Sequence, residues 1–307
     1  MFSTLTTING YSPIKALFLK EFWDNKRAIL TTPMVITGLV MFFSIVGMIN
    51  GSSATIDGAS INEHLSRANN SSFESSEIIT MLIMFPSIIL MIAVIFSMIF
   101  TALSVLYDER KDKSILFWKS MPASDTQEVL VKLATVTVVI PAIAIGFAFI
   151  VQIFSALLFG FFVAINTEYS AWDIVFSNIN FGGLIAMDIV PMFINILWIL
   201  PIIAWFMLVS SFSRRSPFLL AFIAPILVAV FEGIFFRSNY FLQAIGSRFS
   251  FIERFDLEYR LEEGVSMMEV AGSYLSTLTD PSLWIGTALA AAMIVGCIQI
   301  RKRSSIA

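Results

Sequence analysis

The sequence predicts an all-α integral membrane protein with six transmembrane helices, and three observations carry that prediction. Of its 307 residues 57% are hydrophobic and 13% charged, with a mean hydropathy of +0.85, whereas soluble domains carry about 25% charged residues. Six runs (28–49, 78–105, 132–163, 183–212, 217–236 and 282–300) are apolar enough to cross a bilayer, which takes about 20 residues per helix. Lysine and arginine divide unevenly between the segments that alternate across these runs. A soluble fold of this length leaves roughly a quarter of its unfolded surface exposed, too much to conceal 30 Phe and 15 Met.

The basic residues fix the orientation. With the N-terminus in the cytoplasm, that side holds 14 of the 19 Lys and Arg, among them Lys15, Lys20, Lys26, Arg110, Lys132, Arg215 and Arg301. The outer side keeps Arg67, Arg237, Arg248, Arg254 and Arg260, spread over longer loops. Both termini are therefore expected in the cytoplasm, with outer loops at about 50–77, 164–181 and 237–281. The whole chain, 1–307, reads as a single transmembrane domain.

Each element has its own local reason. Residues 12–27 predict an interfacial helix: Ser12-Pro13 is an N-cap followed by proline at the first helical position. Ile14, Leu17, Phe18 and Phe22 share a face, Lys15, Lys20, Asp24 and Lys26 lie elsewhere, and Trp23 falls at headgroup depth. Such a helix anchors the first span, and it is equally suited to transmitting motion from a cytoplasmic partner. That first apolar run is too long for a secretory leader and lacks a small-x-small cleavage site. Between Lys132 and Glu168 lie 35 uncharged positions, so the third helix must tilt, protrude or bend, with Pro141 the candidate kink. Glu232 interrupts the fifth run. No internal repeat of the inverted-repeat transporter kind is evident.

The connection between the second and third runs reads LYDERKDKSILFWKSMP, Leu106 to Pro122. Six consecutive charges, Asp108 to Lys113, precede the apolar cluster Ile115 to Trp118. A loop that only fixes topology needs Lys and Arg alone. An aromatic cluster in a solvated connection marks an interface. Pro122 stops the helix that carries it, and Ser124 with Gln127 forms a capping box that launches the next one. The segment 108–122 therefore predicts a short helix across the inner face, suited to docking a soluble partner.

Catalytic constellations are missing from the sequence. It has no G-x-x-x-x-G-K-[ST], H-E-x-x-H or G-x-S-x-G pattern. His64, the single histidine, lies in a polar loop, and Cys297, the single cysteine, reads as a small core residue. The expectation is a non-catalytic chain with no metal site and no nucleic-acid partner. Two acids fall within runs, Asp188 and Glu232, both toward the outer face. A charge at the bilayer centre costs about 2.5–3.5 kcal/mol, so each is a candidate for lining a substrate path. The plainer alternatives are snorkelling to the interface or pairing with a neighbour such as Arg237. A gradient-driven secondary transporter and a non-transporting membrane anchor stand as the competing classes.

The run from Leu106 to Leu133, with its charged Tyr-x-Glu-Arg core followed by Ser-Ile-Leu-Phe-Trp-Lys, resembles the cytoplasmic loop of the ABC-2 type permeases, the membrane subunits of one class of ATP-binding-cassette exporters. The layout is similar along nearly the whole chain. The resemblance implies a permease that pairs with a second copy of itself and rests on two copies of a soluble ATPase subunit. That subunit would bind ATP and Mg, this chain holding no cofactor. A coupling helix would dock on the ATPase through polar contacts from Glu109, Arg110, Lys111, Asp112 and Lys113 and a packed anchor of Leu116, Phe117 and Trp118. It further implies outward movement of a cargo, residence in a bacterial cytoplasmic membrane, and an outer loop (237–281) that dips back to cap the exit; the many aromatic residues in the spans suggest that the cargo is amphipathic or hydrophobic.

Overall fold

The computed structural model describes residues 13–51, 55–56, 59–60, 72–112, 123–166, 170–213, 215–249 and 266–303. Among these, six helices are long and apolar enough to cross a membrane. The N-terminal helix α1 spans Pro13–Asp24, and a π-helical turn, Arg27–Thr31, leads into α2, Thr32–Gly51. A two-residue antiparallel pair follows, β1 (Thr55–Ile56) with β2 (Ala59–Ser60). The second span is α3, Ser72–Ser104, and one further helical turn, α4, covers Tyr107–Lys111. The third span is α5 (Asp125–Ala134), a π turn (Thr135–Val139) and α6 (Ile140–Asn166) in one run of 42 residues. After the short α7 (Ala171–Ile174) come α8 (Phe181–Phe212), α9 (Pro217–Phe236), α10 (Tyr240–Gly246), α11 (Met267–Tyr274) and α12 (Pro281–Arg303).

The third span is longer than its apolar run because the predicted capping box forms. Gln127 N donates to Ser124 Oγ at 3.2 Å, and Ser124 N donates to Gln127 Oε1 at 3.0 Å. Helix therefore begins at Asp125 and carries the charged residues of its first two turns into the span. The bend expected at Pro141 takes the form of the π turn two residues ahead of it. Pro33 has the same arrangement after Arg27–Thr31. Proline offers no N–H and its ring crowds the carbonyl four residues back. A wider i→i+5 turn just before it accommodates both defects.

Segments α3, α6, α8 and α12 pack together around Val94, Met98, Ile140, Ala144, Ile203, Met207, Ala290 and Ile294. Near the start of α8, α11 lies against it, with Met267, Val270 and Tyr274 on Leu184 and Met187. Lipid tails are as apolar as leucine, so such contacts hold by close fit and interhelical hydrogen bonds rather than by escape from water. The fifth span illustrates the second kind. In α9 only Ala221 is buried, and its carbonyl, freed by Pro225 four residues later, accepts 3.1 Å from Trp205 Nε1 on α8.

Beyond α9 the chain reverses at Arg237, whose left-handed backbone (φ 50°) is uncommon for a side chain with a Cβ. Glu232 holds the reversal in place. Its carboxylate accepts from Ser238 Oγ at 2.7 Å and from the N–H groups of Tyr240 and Phe241 at 2.9 Å, which open α10. The segment then runs back along the bundle. Ser247 O accepts 2.8 Å from Trp198 Nε1, and Arg248 lies 4.5 Å from the Trp198 ring centroid while donating 2.8 Å to Ser282 O. Trp198 precedes Phe212 by 14 residues, about 21 Å of helix. Gly286 allows this approach, since a Cβ there would stand 2.8 Å from the Arg248 guanidinium.

Candidate functional site

Where α1, α4, α5 and the end of α12 meet, four elements bring seven charged side chains into one cluster, all but Asp125 nearly buried. From α1 come Lys20 and Glu21; from α4, Glu109; from α5, Asp125, Glu128 and Lys132; and from the last turn of α12, Arg301. Lys132 donates 2.6 Å to Glu21 Oε1 and 2.7 Å to Glu109 Oε1. Glu109 also accepts from Lys20 through Oε1, and Arg301 Nη1 donates to its other oxygen at 2.9 Å. Arg301 completes the set with contacts to Glu128 at 2.5 Å and Asp125 at 3.3 Å. Glu109 is thus the one residue that touches a cation from each of α1, α5 and α12.

The local sequence explains how these groups meet. Leu17 and Glu21 are one turn apart on α1 and both are buried, so the packed face of this helix carries charge. Glu128 and Lys132 repeat that spacing on α5. At the edge of the cluster, burial pushes the Asp24 carboxyl above the usual range; Lys20 and Lys132 oppose the shift, and Glu21 and Glu109 add to it. Removing seven charges from water is unfavourable, and only close, mutually satisfying geometry offsets it.

The same turn, α4, is fastened on its opposite side. The N–H groups of Leu106 and Tyr107 donate to Ser210 Oγ at 3.2 and 2.9 Å, and Tyr107 Oη donates 2.7 Å to Arg215 O. Arg110 Nη2 donates to Ser210 O and, at 2.9 Å, to Ser213 O. The segment leaving the second span is therefore clasped between the α8–α9 turn and the ionic cluster.

The sequence-predicted dock divides on this structure. Lys111 and Asp112 are exposed. Glu109 and Arg110 instead turn inward, Glu109 to Arg301 on α12 and Arg110 to the carbonyl oxygens of Ser210 and Ser213 at the end of α8. Lys113, Leu116, Phe117 and Trp118 lie outside the described residues, as does most of the segment 108–122 expected to be helical. Lys20, placed by sequence off the apolar face of its helix, belongs to the cluster, its side chain 7% exposed. Glu232 caps α10 and, among the described residues, makes no ion pair with Arg237.

Asp188 forms a second polar site, among α3, α6 and α8. It is 5% exposed, and its two oxygens accept from Gln152 Nε2 at 3.1 and 2.9 Å. The same nitrogen reaches Ser87 Oγ at 3.2 Å, and Ser87 donates 2.6 Å to Met84 O. A cavity of about 50 Å³ beside it is lined by Asp188, Ser87, Asn195 and the methionines 84, 91, 187 and 192. Gln152 carried no expectation from sequence, although it is the lone strongly polar residue between Lys132 and Asn166. Compared with known protein families, curated proteins and solved structures, the chain shows no significant match.

Proposed function

We propose that this chain is the membrane-spanning permease subunit of an ATP-driven exporter whose nucleotide site lies on a separate soluble subunit. One observation carries the reading: Glu109, in the cytoplasmic segment after the second span, is ion-paired to α1, α5 and α12 at once. A push delivered to that segment by a partner would therefore move the first, third and sixth spans together, while Tyr107 and Arg110 carry it to α8 and α9. The likeness of Leu106–Leu133 to the ABC-2 permease loop supports the same direction of coupling, with Lys111, Asp112 and the segment 113–122 left to meet the ATPase. Pairing with a second permease copy and a hydrophobic or amphipathic cargo belong to this proposal.

Purification of the tagged chain from its native membrane tests it. The expected result is co-elution of a soluble ATPase bearing a phosphate-binding loop, lost in Trp118→Asp while membrane insertion is unchanged. Retention of the ATPase in that variant overturns the docking role. Ion-gradient-driven transport is the second reading, favoured by the buried Asp188. Transport by the chain alone in liposomes under an imposed gradient, with no ATPase, would select it.

A further inference from the structure

We propose that Asp188 is a proton-binding site in the outer half of the bundle, exchanging its proton through the cavity between α3 and α8. The inference stands apart from the choice of energy source, because it concerns the charge state of one side chain within the packed helices. Lys132 precedes Gln152 by 20 residues on one continuous span, which sets Asp188 about 30 Å from the ionic cluster. That distance is close to the thickness of the hydrocarbon core.

Among the described residues, the surroundings of Asp188 supply hydrogen bonds but no positive charge. On α6, Gln152 donates to it through a neutral amide, and nothing from Leu133 to Asn166 is ionisable. On α3, Ser87 has committed its proton to Met84 O. On α11, Tyr274 is neutral and packs against Met187 and Leu184, and Glu269 is exposed and caps its own helix through Ser266. On α9, Glu232 is occupied with α10, and the stretch of α12 that packs on α8 reaches its first charge at Arg301, in the ionic cluster. Arg248 is the cation with access to the shared wall, and it is engaged with the Trp198 ring and the carbonyl oxygens of Trp198 and Ser282. A buried carboxylate so placed bears the full cost of an uncompensated charge, whereas the neutral acid needs hydrogen bonds alone.

The cavity gives the proton a route. Its volume of about 50 Å³ has room for roughly three or four waters at 10–15 Å³ each. Asp188 and Asn195 stand two helical turns apart on the same face of α8, and both line it. Among the described residues, Asn195 Oδ1 accepts no hydrogen bond, so it is placed to receive one from a water relayed from the acid. A smaller space of about 10 Å³ continues from Asn195 to Arg248. Any movement that parts α3 from α8 would open this wall and hydrate the carboxyl, so proton release and helix separation are linked.

Infrared spectroscopy of the full-length protein in lipid nanodiscs tests this without ATPase or cargo. At neutral pH the wild type is expected to show a protonated-carboxyl stretch that shifts in deuterium oxide and is lost in Asp188→Asn. Gln152→Leu, which keeps the acid but removes its donor, should retain the band at a shifted frequency, and it decides the matter if Asp188→Asn fails to fold. Absence of an Asp188-dependent band at neutral pH, or a band that Gln152→Leu leaves unmoved, overturns the proposal.

Discussion

Two buried sets of ionisable groups stand about 30 Å apart along the third span, and they deal with charge in a low dielectric in opposite ways. In the ionic cluster, Lys20, Lys132 and Arg301 are interleaved with Glu21, Glu109, Asp125 and Glu128, and each ion is held by another. Among the described residues, Asp188 has an amide for company and no ion. The first arrangement resists deformation, since moving any one element strands charges belonging to three others. The second costs little to disturb and responds to its solvent. The difference matches the proposed roles: the ionic cluster would suit transmission of force, and the Asp188 site a change of state.

Breaking the ionic cluster should produce the largest effect. Glu109→Gln leaves Lys132 and Arg301 short of a buried counter-ion, and removing one partner of such a network costs about 3–5 kcal/mol. The expected outcome is a large drop in the thermal unfolding midpoint of the detergent-purified protein, together with a reduced folded yield. A midpoint like that of the wild type would erase the contrast between the two regions.

An intermediate effect is expected where the outer region relies on fit. Gly286→Ala sets a methyl group against the Arg248 guanidinium, and overpacking of this kind costs about 1–3 kcal/mol. Protection of the 240–248 segment from proteolysis should fall in parallel, since Arg248 must leave Ser282 O and the Trp198 ring. Unchanged protection would mean that the fold-back is held by Ser247 and Trp198 alone.

The smallest effect belongs to Asp188→Asn. The amide oxygen still accepts from Gln152, and no ion pair is lost, so stability should change by less than about 1 kcal/mol. A loss as large as that of Glu109→Gln would reveal an ionic role for Asp188 and place the two sites in the same class.

Much of the scaffold was legible in the sequence because membrane constraints act locally. Six apolar runs had to become six helices, Ser124 and Gln127 announced the start of the third, and Pro141 announced its irregularity. The ionic cluster was not legible, for a physical reason. Glu109 finds partners 89 and 192 residues away in Lys20 and Arg301, and no periodicity within one helix records such pairings. Lys20, Lys132 and Arg301 were counted as cytoplasmic charges that set orientation, although all three are buried. Glu109 and Arg110 looked like dock contacts because they sit in the densest charged run of the chain. Within one helical turn, however, alternate faces separate Lys111 and Asp112, which point outward, from Glu109 and Arg110, which point in. Asp188 was marked by its intramembrane position, while Glu232 was marked for the same reason and proved to be a cap for a helix starting eight residues later.

The central claim is that the turn after the second span moves as one body with the spans it clasps, and a distance distribution tests it most directly. With Cys297→Ala removing the native thiol, spin labels at Lys15→Cys on α1 and Lys111→Cys on α4 report across the cluster by pulsed electron resonance. A single narrow distance that broadens in Glu109→Gln is the predicted result. A broad distribution in the otherwise wild-type chain, or one that Glu109→Gln leaves unaltered, would contradict the account.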